Sequence, residues 1–291
     1  MTNLRCVLDA KAAIGESPVW AADEQALYWI DILEPALYRF DPATGAQSTW
    51  LLPEVVGSIG LRAGGGVVLA LSTGLHLLDL DSGALSFLAP DPEDDEPATR
   101  LNDGKVAPDG RFWFGSMDDA QHNQTIGGLY RLDADHTCHP ILNGVAISNG
   151  LAWSPDGQTM YHSDTSRQVI NAYDYDLDTG NISNPRILAE GDATGRPDGG
   201  ATDMEGYYWS AGVSAGVLNR WSPDGRLDRR IELPCPRPTC PCFGGPDMKT
   251  LFVTSLRAGL SEAELAKWPQ SGGIFALDVD TPGVPVARYR G

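Results

Sequence analysis

The segment Ser148-Asn-Gly-Leu-Ala-Trp-Ser-Pro-Asp-Gly-Gln-Thr-Met-Tyr-His-Ser-Asp-Thr165 contains the pattern on which the chain is built. It predicts one β-strand, a tight turn and a second strand, because Pro, Asp and Gly each favour turn conformations. Asn149 stands seven residues before Asp156 of the turn, near the start of the first strand. A polar side chain therefore marks the entrance to a strand, and an aromatic-rich strand follows the turn.

The same spacing recurs in three other segments. Glu16, Asn102 and Asp198 each stand seven residues before an acidic residue of a candidate turn. The four strands that follow these turns are Leu27–Ile30, Phe112–Phe114, Met160–His162 and Tyr207–Trp209. If the repeats are arranged radially, the four oxygen-bearing side chains meet at the centre.

A second pattern, an apolar strand that ends in Asp or Ser, occurs six times at a spacing of about 47 residues. Its copies are Leu37–Asp41, Leu75–Asp79, Leu129–Asp133, Ile170–Asp174, Leu218–Ser222 and Ile274–Asp278. Short strands at this period are typical of propellers and predict an all-β fold, a six-bladed β-propeller of four-stranded blades. We expect residues 1–291 to form one such domain.

The ends of the chain and two irregular segments add detail. We expect strands near Arg5–Leu8 and Val286–Tyr289 to share a blade and close the ring, because an open edge leaves backbone groups unpaired. A capping box predicts a short surface helix in Gly259–Trp268. The acidic run Asp91–Glu96 is interpreted as a solvated loop, or alternatively as a rim or lid next to Arg100.

Composition restricts the class of partner. The chain has 291 residues and a formal net charge of −18, which argues against nucleic acid and anionic membranes as partners. It contains no apolar run of about 18 residues that would span a bilayer. The first residues lack the apolar core and cleavage site of a signal peptide, so we expect a cytoplasmic protein with no obligate protein partner.

Two further motifs suggest chemistry that their context does not favour. The five cysteines are an odd number and favour free thiols; those within Cys235–Cys242 lack the second pair of a zinc site. Gly212–Gly216 matches the G-x-S-x-G pattern of a nucleophile elbow. That motif works at a strand-to-helix turn, whereas here it is expected to join two strands.

The aligned polar side chains favour a metal site. Glu16, Asn149 and Asp198 would offer two carboxylates and one amide oxygen at the channel mouth, with Asn102 beside them. Oxygen ligands suit Ca²⁺, Mg²⁺ or Mn²⁺, although Zn²⁺ and Fe²⁺ also accept them. Three protein ligands leave positions for water and substrate. The alternative is that these residues cap the inner strands by hydrogen bonds to the backbone; we favour one divalent metal ion.

The chain resembles the gluconolactonase/regucalcin family in five motifs, which occur in order along nearly its whole length. These motifs are Gly15–Trp20, Arg100–Val106 with Phe114–Met117, Ser148–Trp153, Arg196–Gly199 and Cys242–Gly245. The resemblance is strongest to bacterial sugar-acid lactonases such as xylonolactonases. It implies a six-bladed propeller with one divalent metal in its channel, and a carboxylic-ester hydrolase that opens an aldonolactone of the pentono or hexono type.

The resemblance also implies roles for single residues. It places Glu16, Asn149 and Asp198 on the metal ligands, and Arg100 and Asn102 on substrate-binding positions. Asp198 is the expected general base, because a carboxylate at the metal can also accept a proton from water. Members with mammalian-type sequences carry a glutamate shortly after the segment that matches Gly115–Met117, where this chain has the residues 118–120, Asp-Asp-Ala.

Two other functions stay open at this point. Related propellers apply the same chemistry to other esters, so a phosphotriester hydrolase is one alternative. A non-catalytic metal-binding or interaction propeller is the other, since a fold does not fix a function. Four oxygen-bearing side chains at equivalent positions favour the lactonase, because a scaffold has no need for them.

Overall fold

The computed structural model describes residues 3–93, 96, 98–191 and 193–291. Six four-stranded antiparallel sheets and one short helix make up the regular structure of this part of the chain. Five sheets are built from consecutive strands, and the sixth combines both ends of the strand sequence. The prediction of an all-β, six-bladed propeller is confirmed.

The strands are assigned blade by blade. Blade 1 contains β2 (Gly15–Ala21), β3 (Ala26–Asp31), β4 (Ala36–Phe40) and β5 (Gln47–Leu51). Blade 2 contains β6 (Val56–Leu61), β7 (Val67–Leu71), β8 (Gly74–Leu78) and β9 (Leu85–Ala89). Blade 3 contains β10 (Thr99–Val106), β11 (Phe112–Asp118), β12 (Gly127–Leu132) and β13 (Cys138–Val145).

The remaining blades follow the same plan. Blade 4 contains β14 (Ser148–Trp153), β15 (Thr159–Asp164), β16 (Val169–Tyr175) and β17 (Ile182–Glu190). Blade 5 contains β18 (Pro197–Thr202), β19 (Tyr208–Gly212), β20 (Val217–Trp221) and β21 (Leu227–Glu232). Blade 6 contains β22 (Pro238–Gly244), β23 (Thr250–Ser255), β24 (Ile274–Asp278) and the N-terminal β1 (Arg5–Leu8).

The first strand of each blade faces the central channel. These inner strands are β2, β6, β10, β14, β18 and β22, and each contacts the inner strands of both neighbouring blades. They are buried along almost their whole length, whereas the outer strands are largely exposed. Apolar clusters join neighbouring blades: Tyr28 of blade 1 lies in one cluster with Leu69 of blade 2.

The ring is closed by one terminal strand. β1 pairs with β24 and completes blade 6, as predicted. The prediction that Val286–Tyr289 joins the same blade was wrong. Since β1 already supplies the fourth strand, the C-terminal segment bonds instead to the ends of inner strands: Val284 N–H donates to the Thr202 carbonyl, and Tyr289 N–H to that of Leu61. Residues 284–287 therefore line the channel at the end opposite the strand starts.

Smaller features also match the sequence. The helix α1 (Glu262–Lys267) begins at a capping box between Ser261 and Glu264. Residues 213–216 form the turn between β19, which ends at Gly212, and β20, so the G-x-S-x-G motif lies in a hairpin. All five cysteines are free. In the part of the chain that the structure describes, no helix is long and apolar enough to cross a membrane.

The acidic run is described only in part, because Asp94 and Asp95 lie outside the described residues. Glu93 differs from the expected solvated side chain. Its Oε1 accepts hydrogen bonds from the Tyr130 hydroxyl at 2.5 Å and the Ser116 hydroxyl at 2.8 Å. Glu93 therefore ties this segment to blade 3, shortly before Arg100.

The packing of the C-terminal segment predicts that it contributes measurably to the free energy of unfolding. Tyr289 is fully buried, and its hydroxyl donates to the Asp133 carbonyl at 2.8 Å. We expect Tyr289→Ala to lower the free energy of unfolding by about 3–5 kcal/mol, because the ring leaves a cavity. Tyr289→Phe should cost only about 1 kcal/mol, the value of one hydrogen bond. Urea denaturation measures both; equal midpoints for Tyr289→Ala and the wild type would contradict a packed C-terminal segment.

Candidate active site at the channel mouth

A pocket opens where the six inner strands begin. Every inner strand contributes at least one residue to its wall: Glu16, Gly57, Asn102, Asn149, Asp198 and Thr239, with Arg100 and Asp103 also from β10. The pocket holds about 590 Å³ of empty space, part of it in the open mouth, which suits a small molecule. Its remaining wall is largely apolar, with Ile14, Ile32, Met117, Ile147 and Leu256. The structure thus brings together the four polar side chains that the repeat spacing selected.

The local backbone explains how these side chains reach the pocket. The pairing of each inner strand with its neighbour shifts register close to the strand start, as at a β-bulge. A bulge re-aims side chains that would otherwise alternate between the two faces. In β10 this irregularity lies between Leu101 and Gly104, and both Asn102 and Asp103 line the pocket.

Asp103 is a pocket residue that the sequence argument did not select. It directly follows Asn102 in the same motif, but regular strand alternation places consecutive side chains on opposite faces. Only the register shift in β10 lets both side chains face one cavity. The available sequence signal was the pair of consecutive polar residues, Asn102 and Asp103, near the start of an inner strand. A regular strand would direct only one of these two side chains towards the channel.

Hydrogen bonds fix the orientation of the two asparagines. Asn102 Nδ2 donates to the Ser148 carbonyl at 2.8 Å and to Asn149 Oδ1 at 3.2 Å. Asn149 Nδ2 donates to Thr165 Oγ1 at 2.8 Å. Thr165 Oγ1 in turn donates to the Pro197 carbonyl at 2.6 Å, which joins blades 4 and 5. Both amides are therefore held by three adjacent blades before any ligand binds.

Arg100 lies beside this network. Its Nη1 donates to Asn102 Oδ1 at 2.9 Å, and its Nε donates to Asp119 Oδ1 at 2.8 Å. The side chain of Arg100 is only 15% exposed. Its Nη2 donates to no described residue and is the free donor of the group. The guanidinium is thus oriented from two sides with one nitrogen left for a ligand.

The adjacent acidic residues Asp118 and Asp119 have different roles. The Asp118 carboxylate accepts four backbone N–H groups, from residues 120, 121, 123 and 124. These bonds lower the pKa of Asp118 to about 2 and fully occupy the side chain. Asp119 instead holds Arg100, so Asp119 is the carboxylate of this pair that reaches the pocket network.

Electrostatic strain is concentrated on three buried carboxyl groups. Burial raises the pKa of Asp198 to about 8, and the charge of Asp103 adds to the shift. Burial also raises the pKa of Glu16 well above its usual value, reinforced by Asp198 and then Asp103. Carboxylates that share one low-dielectric pocket repel each other, so a proton or a cation stabilises the pocket.

The donor set fits a hard divalent cation. Glu16, Asn149 and Asp198 offer oxygen atoms only, at a site where negative charges repel each other. Among the described residues, no three His, Cys, Asp or Glu side chains are arranged to hold a metal ion together. The set Glu16, Asn149 and Asp198 is of a different kind, because it contains only two carboxylates and its third donor is an amide.

The raised pKa of Asp198 predicts how stability depends on pH in chelator-treated protein. An unfolded Asp has a pKa of about 3.9, so between pH 3.9 and 8 the folded chain keeps a proton that the unfolded chain loses. Stability should therefore fall as pH rises through this window, by up to about 1.4 kcal/mol per pH unit from this group.

Urea denaturation at pH 5, 6.5 and 8 measures the effect. Asp198→Asn cannot ionise and should show a shallower decline than the wild type. The control is Asp81→Asn, because Asp81 is exposed in a turn of blade 2 and should keep the wild-type slope. Identical slopes for Asp198→Asn and the wild type would show that Asp198 has an ordinary pKa.

Comparison with known proteins agrees with this arrangement. Residues 14–257 match the family described as SMP-30/Gluconolactonase/LRE-like region. A 6-deoxy-6-sulfogluconolactonase of Pseudomonas putida is 44% identical over 291 residues, which cover 99% of each chain. A regucalcin of Xenopus laevis is 37% identical over 283 residues, which cover 94% of each chain.

Solved structures show the same fold. The crystal structure of a calcium-binding protein, regucalcin, from Agrobacterium tumefaciens superposes with a TM-score of 0.94 at 29% identity, covering 100% of this chain and 98% of the other. A gluconolactonase from Xanthomonas campestris shares the fold with a TM-score of 0.76 at 22% identity, covering 96% and 90% of the two chains. The match over residues 14–257 and the full-length relatives lead to one conclusion: this chain belongs to the gluconolactonase/regucalcin family.

Proposed function

We propose that this protein hydrolyses a sugar lactone to the open-chain sugar acid, with one divalent cation at the channel mouth. The observation that carries the proposal is the set Glu16, Asn149 and Asp198, buried in one pocket beside the oriented pair Arg100 and Asn102. The relative named 6-deoxy-6-sulfogluconolactonase, similar over the whole chain, supports a lactone as the substrate class.

The cation would be held by Glu16, Asn149 and Asp198. When bound, it supplies a Lewis acid for the lactone carbonyl and lowers the pKa of water. A calcium-binding regucalcin shares the fold and supports Ca²⁺, while Mg²⁺, Mn²⁺, Zn²⁺ and Fe²⁺ suit the same donor types. The raised pKa of Asp198, caused mainly by burial, supports a cation here, because a nearby positive charge stabilises the ionised carboxyl group.

The reaction joins water to the carbonyl carbon and breaks the bond from that carbon to the ring oxygen. Asp198 accepts a proton as the water oxygen attacks, which is the role of a general base. The ring oxygen leaves as a hydroxyl group after it takes a proton, and the carbonyl carbon becomes a carboxylate. Atoms and charges balance with one water consumed and one proton released.

Arg100 and Asn102 position the substrate. Arg100 is held by Asn102 and Asp119, so its free Nη2 points in a fixed direction and can donate to a lactone hydroxyl or ring oxygen. The apolar side chains of Ile14, Met117 and Leu256 offer a surface for the carbon face of the ring. The pocket therefore combines polar groups on one side with an apolar wall on the other.

The first prediction from this proposal is metal-dependent lactone hydrolysis. Acid release from fresh xylono-, arabinono-, glucono- and 6-deoxy-6-sulfogluconolactone is followed with a pH indicator, with a no-enzyme control for spontaneous opening. Chelated protein should be inactive and should regain turnover with Ca²⁺, Mg²⁺, Mn²⁺, Zn²⁺ or Fe²⁺. Asp198→Ala should lower kcat at least about a hundredfold while the chain stays folded, and Asp81→Ala should behave as wild type.

The outcomes separate the alternatives. Full turnover after chelation would exclude the cation, and wild-type kcat in Asp198→Ala would exclude Asp198 as the base. Tight metal binding without turnover of any lactone would favour a non-catalytic propeller. Hydrolysis of a phosphotriester, with no hydrolysis of the lactones, would favour the alternative of a phosphotriester hydrolase.

A second prediction concerns Arg100. A hydrogen bond from a charged donor contributes about 1.5–3 kcal/mol, so Arg100→Met should raise KM about tenfold to a hundredfold and change kcat less. The matched control is Arg186→Met, since Arg186 pairs with the exposed Asp174 at 2.7 Å on blade 4. Equal KM values for Arg100→Met and Arg186→Met would show that Arg100 does not contact the substrate.

A further inference from the structure

Asp103 carries an unused acceptor in the wall of the pocket. The residue is 4% exposed, and its Oδ2 accepts one hydrogen bond, from the Leu151 N–H at 3.3 Å. Its Oδ1 is fully buried and has no hydrogen-bond partner in the structure. Leaving a buried carboxylate oxygen unpaired is costly, so a positive charge in the pocket would stabilise the ionised Asp103.

Lys105 places a buried positive charge two residues further along β10. It is 7% exposed and donates to the Gly200 carbonyl of blade 5. No carboxylate of the described residues lies within 4.0 Å of its ammonium group, so the charge has no direct ion pair. Lys105 lines the cavity beneath the pocket, at the side of the channel that the C-terminal segment covers.

Acidic and basic groups act on each other in this region. Glu16, Asp103 and Asp198 are three acidic groups that repel one another, and the positive charges of Lys105, Arg196 and Arg100 offset part of that repulsion. A divalent cation adds positive charge among the three carboxyl groups, which complements the negative charge that develops on the lactone oxygen and remains on the acid product.

We propose that Asp103 is a positioning residue for the divalent cation. It lies outside the set of direct ligands and favours cation binding through its charge, whereas Lys105 disfavours cation binding. This inference rests on the cation site of the proposed function. Asp103 is not assigned as a ligand, because no three acidic side chains of the described residues are arranged around one metal position. Its charge attracts the cation across the pocket, and Lys105 limits that attraction.

The test uses pairs of variants with opposite expected signs. Ca²⁺ and Mn²⁺ are titrated calorimetrically into chelator-treated protein. Asp103→Asn should weaken cation binding about tenfold or more, and Lys105→Met should tighten it. Glu16→Gln, which alters a proposed ligand, is the positive control. The matched control is Asp164→Asn: Asp164 is equally buried and accepts backbone N–H groups, but it does not line the pocket, so affinity should stay unchanged.

Each result decides between the claims. Unchanged affinity in Asp103→Asn would overturn the inference and leave the proposed cation site intact. Weaker binding in both Asp103→Asn and Lys105→Met would mark both residues as structural supports and also overturn it. No binding by the wild type would overturn the cation site itself. Thermal melting verifies folding; if Asp103→Asn does not fold, Lys105→Met still decides, because its affinity must rise.

Discussion

The pairing of β1 with β24 is the constraint on which the structure depends. It joins the two ends of the blade sequence and keeps six inner strands in contact around one channel. Because all six strands then begin at the same mouth, side chains that are far apart in sequence share one pocket. The closure therefore holds together charged groups that repel each other, and the closed ring of blades bears the free-energy cost of their repulsion.

This arrangement separates the scaffold from the chemistry. Aspartates outside the pocket, such as Asp118 and Asp164, satisfy their carboxylates with backbone N–H groups of nearby loops. The carboxylates in the pocket have fewer such partners: Glu16 accepts one backbone N–H, and Asp103 accepts one on Oδ2 and none on Oδ1. A buried carboxyl group with few donors gains from a cation or a proton, so the number of backbone donors distinguishes these pocket acids from the structural acids.

Much of this was predictable from sequence. The repeat of strand, turn and aromatic strand specified six blades, and the seven-residue spacing selected Glu16, Asn102, Asn149 and Asp198. The role of Val286–Tyr289 was not predictable, because a short apolar segment fits an outer strand and a channel cover equally well. Asp103 was missed for a geometric reason: its orientation depends on a register shift in β10, which has no signature in a single sequence.

The six equivalent positions of the pocket are not chemically equivalent, and this asymmetry gives the site a direction. Blades 1, 4 and 5 carry Glu16, Asn149 and Asp198, whereas blade 2 carries Gly57 and blade 6 carries Thr239. A Cβ atom at Gly57 would overlap the Leu101 carbonyl, so only glycine lets blade 2 pack this closely against blade 3. Blade 2 thus adds no side chain where Arg100 and Asn102 of blade 3 present their polar groups. The oxygen donors therefore come from opposite sides of the channel, because blades 1 and 4 face each other across the ring, and Arg100 and Asn102 of blade 3 lie beside Asn149 of blade 4.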